Sequence, residues 1–375
     1  MQSAQEFVAG FETCFKGLSD KRQDSKVSYP LIEILFLTIV AVAGNARTWE
    51  EIETFGETHL EALQEYYLFE QGVPSDDTIR RAAEMLDPEE CNKALNEYFA
   101  KGIDLSGKHI SIDGKSVRGS GHNGEKMLHL LHVYASDSGL VLCSRKVDTK
   151  TNEIVAIPDA LDLLDIKGAI VTIDAMGCQK DIAGKIRNKG ADYILGLKGN
   201  QGRLHAQVED AFKTCAVEFF SMAEATTMDK GHGRIERRRC RMIRDLSKIP
   251  SIAQWTDIST VIEIKRTVTS KGKTTESTNY YISSCNTDAT DIMKSIRSHW
   301  AIESMHWMLD VSFKEDASSM HKGNIPANMA MMRRLVFNIL HGMQEKRQSK
   351  PKLLKMIGWS DNYLHKFARL LIFHS

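Results

Sequence analysis

Paired cysteines, proline, net charge and long apolar runs are all scarce in these 375 residues, and each shortage removes a class of protein. The seven cysteines (Cys14, Cys91, Cys143, Cys178, Cys215, Cys240 and Cys285) lie far apart with no Cys-x-x-Cys pair. An odd, scattered set argues against a disulfide scaffold and for a reducing, cytoplasmic setting. The opening MQSAQEFVAG has no basic region followed by an apolar core, so no signal peptide is expected. Leu31 to Ala43, the most apolar stretch, is 13 residues long and contains Glu33, whereas a membrane span needs roughly 20. It reads as a buried helix, and no membrane partner is expected. Only 7 Pro stand against 25 Gly, with 42% hydrophobic and 26% charged residues, which excludes collagen-like and disordered chains. The 49 basic and 49 acidic side chains cancel, which removes bulk attraction to nucleic acid. The cancellation is uneven along the chain. Residues 1–100 hold 8 Lys+Arg and 19 Asp+Glu, a net of −11, which leaves 41 against 30, or +11, for the other 275. Such polarity hints at an interaction surface.

What is present first is helical periodicity. Leu31, Leu35, Thr38 and Ile39, then Trp49, Ile52 and Phe55, then Ile79, Ala82 and Met85 keep helical spacing between about Tyr29 and Phe99. Ser75 offers an N-cap, with Asp76 and Asp77 in the first turn of the last of these helices. A helix-turn-helix could lie within Glu51 to Met85, but the net charge of −11 favours an ordinary helical bundle. Near Gly107 the period becomes two. His109 to Asp113, Leu128 to Tyr134 and Leu140 to Val147 read as strands, with Ser138-Gly139 as a hairpin turn. Glu153 to Leu164 is helical, Ala169 to Asp174 is a strand covered on both faces, Gln179 to Asn188 is a helix, and Asp192 to Leu197 closes a strand-helix-strand unit. The fold class is therefore α/β with a mixed sheet flanked by helices. Residues from about 217 to 284 break this rhythm as a β-rich insertion, with strands at Val261 to Lys265 and Tyr280 to Ile282 and a turn at Ser270-Lys271-Gly272. Helices resume after Asp288, a long one runs near Ala327 to His341, and the chain ends in a basic tail. The division expected is a helical domain at 1–104, an α/β domain at 105–345 carrying the insertion, and a helical tail at 346–375.

Two aspartates stand at the carboxyl ends of predicted strands, Asp113 in Ile-Asp-Gly-Lys and Asp174 in Ile-Asp-Ala-Met-Gly. Open α/β sheets place ligand sites there. Either could equally be a turn aspartate bonded to its own backbone. On neighbouring parallel strands, both could serve one hard cation, since Mg²⁺ favours few carboxylates plus water and phosphate oxygens. Glu303 is the third candidate. On a helix, His299, Glu303, His306 and Asp310 share one face beside Trp300 and Trp307. Polar groups in that setting are costly unless paired or metal-bound. A small-substrate metallohydrolase using His299, Glu303 and His306 is one reading, although the His-Glu-x-x-His signature is absent.

These residues carry a resemblance. Ile112-Asp-Gly-Lys-Ser-Val-Arg118, Asn152-Glu-Ile-Val-Ala-Ile-Pro158, Asp174-Ala-Met-Gly-Cys-Gln-Lys-Asp-Ile-Ala183, Lys198-Gly-Asn-Gln-Gly202, His232-Gly-Arg234, Tyr280-Tyr-Ile-Ser-Ser284, and His299-Trp-Ala-Ile-Glu303 with His306-Trp307 and Leu309-Asp-Val311 run in order through the chain. In them the sequence resembles the H-repeat-associated insertion-sequence transposases of the DDE superfamily, and the helical N-terminus is similar to that family's associated domain. The resemblance implies an RNase H-like catalytic core, with Asp113, Asp174 and Glu303 as a triad 61 and then 129 residues apart. It implies Mg²⁺ or Mn²⁺, as a pair of ions. It also implies double-stranded DNA as partner, at element ends and target, and a homo-oligomer in the DNA complex. Two metal ions can serve both ends of an in-line phosphodiester displacement, after which the freed 3′ hydroxyl can attack a second strand.

With that triad in place, Lys115 and Lys198 become candidates for the scissile phosphate. Lys230 to Arg244 carries seven basic residues against Glu236. Strand alternation would put Arg237, Arg239 and Arg241 on one side, suited to tracking a phosphate backbone, with Arg234 at the start of the run. Two departures stand out. Between Glu303 and His306 the chain is one residue shorter than the family pattern, a rotation of about 100° on a continuous helix. Ser319 and His321 stand where the family tends to have arginine. A bulge after Glu303, or weaker phosphate contacts beyond it, is expected. The alternative that follows is a catalytically impaired, transposase-derived DNA-binding protein.

Overall fold

The computed structural model describes residues 11–23, 25, 27–100, 103–121, 126–147, 153–215, 223–231, 233–345 and 348–372. Residues 11–15 are helical, and after them α1 (Leu31–Ala43), α2 (Trp49–Thr58), α3 (Leu60–Gln64), α4 (Asp76–Met85) and α5 (Pro88–Ala100) precede the sheet. The N-cap read from the sequence, Ser75, is present, and Thr48 supplies another. Thr48 accepts from the Glu51 amide and Ser75 from that of Thr78, each satisfying an amide the helix itself leaves open. α1 is buried on nearly every face, as a sequence apolar apart from Glu33 and Thr38 requires. Glu33 survives there because its carboxylate accepts the Phe69 amide at 3.1 Å.

The sheet comprises β1 (His109–Val117), β2 (Leu128–Ala135), β3 (Leu140–Val147), β4 (Ile170–Ile173), β5 (Asp192–Leu197), β6 (Ala223–Gly231), β7 (Arg234–Ile243), β8 (Thr260–Ser270) and β9 (Lys273–Ser283). Its order is β3-β2-β1-β4-β5-β9-β8-β7-β6. β1, β4 and β5 are mutually parallel, and the hairpin β2–β3 runs antiparallel beside β1. The β-rich insertion does not fold apart from the core. β9 pairs antiparallel with β5, so its four strands continue the same sheet. β6, which has few apolar positions, was not anticipated as a strand.

On one face pack α6 (Glu153–Asp162), α7 (Lys180–Asn188) and α8 (Gly202–Cys215), against Ile110, Ile112, Val171, Ile173, Tyr193 and Leu195. On the other lies α9 (Ala289–Val311), whose Ile292, Met293 and Ile296 meet Ile194, Ile262 and Ile264. Period-two alternation therefore sends Asp113, Thr172, Asp174, Ile194 and Gly196 toward α9.

α10 (Ile325–Met343) is buried along most of its length and covers the outer strand. Asn338 donates to the Val141 carbonyl and accepts from its amide, both at 2.9 Å, closing part of an edge that would otherwise invite pairing. α11 (Lys350–Trp359) and α12 (Asp361–Ile372) follow. They are no free tail. Leu353, Leu354, Ile357, Leu364, Phe367 and Leu371 share one core with Phe36, Leu37 and Ile39 of α1. The expected boundaries at 104 and 346 are thus crossed by a common hydrophobic cluster. No helix among the described residues is long and apolar enough to cross a membrane.

Candidate active site

A cleft of about 290 Å³ opens between the middle of β1, the ends of β4 and β5 and the flank of α9; Asp113 does not stand at a strand end as expected, because β1 runs on to Val117 in its pairing with β2. Asp113, Asp174 and Glu303 all line it, with Lys198, His299 and Trp300. Each carboxylate arrives on a different element, and the reason is local. β1 and β4 are parallel with Ile112 opposite Ile173, so Asp113 and the residue after β4, Asp174, fall side by side. Gly196 lets β5 come close beneath them. A Cβ there would sit 3.1 Å from the Ala175 nitrogen and 3.3 Å from the Asp174 carbonyl carbon.

Asp174 also behaves as a turn residue, since its Oδ1 accepts the Met176 amide at 2.9 Å and that of Gly177 at 3.3 Å. Those bonds fix the carboxylate and involve one of its two oxygens. Burial pushes the Asp113 carboxyl up to about 7, and the like charge of Asp174 adds to this, with smaller contributions from Glu153 and Glu303. Two close carboxylates, one poorly solvated, form a place where a cation is favourable. Among the described residues no three His, Cys, Asp or Glu side chains close a metal site unaided. An oxygen set of few carboxylates suits a hard divalent ion that keeps waters and phosphate oxygens in its shell.

The helix carrying Glu303 is one unbroken α-helix from Ala289 to Val311. The expected bulge is absent. Within it His299 and His306 are already engaged: His299 Nδ1 lies 3.0 Å from the Thr172 hydroxyl, and His306 Nε2 lies 2.8 Å from Nδ1 of His132. Burial holds the His299 imidazole below its usual range and pushes His306 down to about 3. Asp310 is not among the residues lining the cleft. The face His299, Glu303, His306 and Asp310 therefore does not act as one ligand set.

The basic candidates divide. Lys198 is exposed at the end of β5 and lines the cleft. Lys115, expected to meet a phosphate, is buried instead, with its ammonium 2.6 Å from Asp316 and 3.1 Å from Glu315. Two residues beyond Asp113 on the strand it faces the same way, but there α10 and the 315–317 turn cover the sheet. In the arginine run the alternation is as expected, yet the partners differ. Arg237 is exposed, Arg239 is half-buried, and Arg234 is exposed with Glu236 at 3.4 Å. Arg241 is not available to a ligand: it makes a two-point pair with Glu263, at 2.8 and 2.7 Å, and lies over the Phe212 ring. Register explains this, because Arg241 stands directly opposite Glu263 on β8.

Several residues near the site were not anticipated. His132 stands opposite Asp113 across β1 and β2, and behind it Arg334 donates from Nε to His132 Nε2 at 2.6 Å. Burial and the Arg334 guanidinium hold the His132 imidazole well below its usual range. Arg334 in turn meets Glu315 at 3.0 Å.

Residues 104–339 match the family model described as "Transposase DDE domain", and residues 12–99 match the one described as "DDE_Tnp_1-associated". YncI of Escherichia coli O157:H7, a transposase by name, is 36% identical over 361 residues, covering 93% of this chain and 92% of that one. YhhI of Escherichia coli strain K12, by name an H repeat-associated transposase, is 35% identical over 357 residues, covering 92% and 94%. Among solved structures, the piggyBac transposase synaptic complex with hairpin DNA aligns with 97% of this chain and 78% of that one, at TM-score 0.46 and 11% identity.

Proposed function

Because the chain belongs to the H repeat-associated DDE transposases, we propose that Asp113, Asp174 and Glu303 are the triad with which it cuts and joins DNA. The observation that carries this reading is that three carboxylates, from β1, the end of β4 and α9, line one cleft. They would hold Mg²⁺ or Mn²⁺, as a pair of ions. Such ions supply a nucleophile at neutral pH and neutralise charge on the leaving oxygen of an in-line displacement. The chain's own residues do the rest. The Asp174 turn bonds fix one carboxylate, and α9 carries Glu303 on a rigid element, which keeps the constellation from drifting. Lys198, which lines the cleft, would meet a phosphate oxygen beside the scissile bond. Double-stranded DNA is the partner, and two element ends would be held by an oligomer of this chain.

Cleavage of a duplex carrying the element's ends should require Mg²⁺ or Mn²⁺, leave a 3′ hydroxyl, and stop on chelation. Retention of that duplex without any cleavage would favour the binding-only descendant. Hydrolysis of a small ester with bound zinc, surviving loss of Asp113, would favour the metallohydrolase.

The phosphate-tracking face is proposed to be Arg237 and Arg239, with Arg241 serving the fold; Arg234 lies on the other face of β7, beside Glu236. Arg237→Ala should weaken binding to all DNA sequences and lower the slope of log affinity against log salt by about 1. Arg241→Ala should instead cost about 3–5 kcal/mol of stability by leaving Glu263 buried without its partner. Salt titrations of binding, alongside urea unfolding, separate the two. A salt slope that falls for Arg241→Ala and stays put for Arg237→Ala would reverse the assignment.

A further inference from the structure

A chain of hydrogen bonds runs from Arg334 through His132 to His306, whose ring stands beside the first carboxylate of the cleft, and its direction follows from the chemistry of one end. Arg334 carries five N–H donors and no acceptor, and it stays charged in a protein. Its Nε lies 2.6 Å from His132 Nε2, so that nitrogen must be the bare, accepting one. The proton of the neutral His132 ring is then on Nδ1, 2.8 Å from His306 Nε2. His306 Nε2 must accept, which leaves the His306 proton on Nδ1. That atom lies 3.7 Å from Asp113 Oδ2.

We infer that Arg334, acting through His132, fixes His306 in its Nδ1–H tautomer, and that His306 is a positioning residue that orients the Asp113 carboxylate by donating to it. At 3.7 Å the contact is longer than a hydrogen bond. Such contacts in a free site commonly tighten once the reacting groups are in place. The far end of the chain is anchored: Glu315 accepts from Arg334 at 3.0 Å and also faces Lys115. Lys115 thereby serves the site from within the fold. An outer partner that sets both tautomer and orientation of a group in a metal site is a recurring device, worth about 10–100-fold when removed. Nothing else about the fold calls for two neutral imidazoles here, since a buried polar chain can be replaced by apolar packing at little cost.

The inference rests on the triad proposed above, and the test keeps the two apart. One arm needs no activity. Long-range ¹H–¹⁵N spectra of histidine-labelled protein, with the His306 signals identified by their loss in His306→Asn, should show His306 as the Nδ1–H tautomer. His132→Leu should release it to the mixture typical of a free ring. A wild-type His306 protonated on Nε2 overturns the inference whether or not the protein cleaves DNA. The second arm uses two substitutions with opposite consequences. His306→Asn keeps a donor near the Nδ1 position and loses the bond to His132, whereas His306→Gln reaches the Nε2 position and loses the donor to Asp113. We expect His306→Asn to be the less stable of the two, yet to cleave at least about 10-fold faster. A merely structural role predicts that cleavage follows stability, and that ordering would sink the idea. Wild-type protein that fails to cleave while keeping the Nδ1–H tautomer would count against the triad and leave the relay standing.

Discussion

Asp113→Asn should abolish strand cleavage and, in metal-free protein at pH 8, raise the melting temperature. Both outcomes come from one feature. The Asp113 carboxyl titrates near 7 because it is poorly solvated and lies beside Asp174. An acid whose folded-state pKa is raised above the unfolded value destabilises the fold progressively as pH climbs from about 4 to about 7, and by a constant amount above that. Asparagine removes the charge and keeps the shape. The gain at pH 8 should be on the order of 4 kcal/mol, shrinking to nothing near pH 4. Saturating Mg²⁺ should reverse the ranking, since a cation bound to the native state stabilises it by mass action and the variant has lost a ligand. Cleavage should fall by more than the roughly 10²–10³-fold seen when one electrostatic stabiliser is removed elsewhere. A variant that is inactive and also less stable at pH 8 would mean that Asp113 serves packing.

Glu315→Ala should be among the most damaging single substitutions in the chain. Glu315 is completely buried, with Arg334 at 3.0 Å and Lys115 at 3.1 Å. Arg333, also buried, is close enough to lower its pKa further. Removing the carboxylate leaves three buried cations with less than their full complement of charge. Breaking a buried pair typically costs about 3–5 kcal/mol, and urea unfolding should show a loss of that size. Glu315→Gln retains acceptors and should lose less. The sign of the pH effect is opposite to that for Asp113. The attraction of its cation partners outweighs burial and holds the Glu315 carboxyl below the usual range, so it stabilises above the unfolded pKa and the contribution fades as pH falls through the folded one. A loss under about 1 kcal/mol would show that the cluster is solvated in practice.

The central strands and the three carboxylates were legible because their signals are local. Ile-Val-Thr-Ile before Asp174 can only be a covered strand, and a polar residue at its end is conspicuous. What the sequence hides is set by long-range register. Lys115 looked free because its partners, Glu315 and Asp316, lie some two hundred residues away. Arg241 looked like part of a phosphate track until β8 brought Glu263 opposite it. His132 gave no sign, since its place across from Asp113 depends on how the chain between β1 and β2 sets their pairing. The C-terminal stretch reads as a basic helical tail. Its Leu353, Leu354, Ile357, Leu364, Phe367 and Leu371 keep helical spacing among the charges, and those positions are the ones that pack on α1.

Anomalous diffraction from crystals of the DNA complex grown with Mn²⁺ would locate the metal directly. A manganese peak is expected between the carboxylates of Asp113 and Asp174, with Glu303 and the scissile phosphate completing its surroundings, and that peak should be lost in Asp174→Ala. Manganese held by His299 and His306, or a scissile phosphate lying outside the cleft, would contradict the proposed triad.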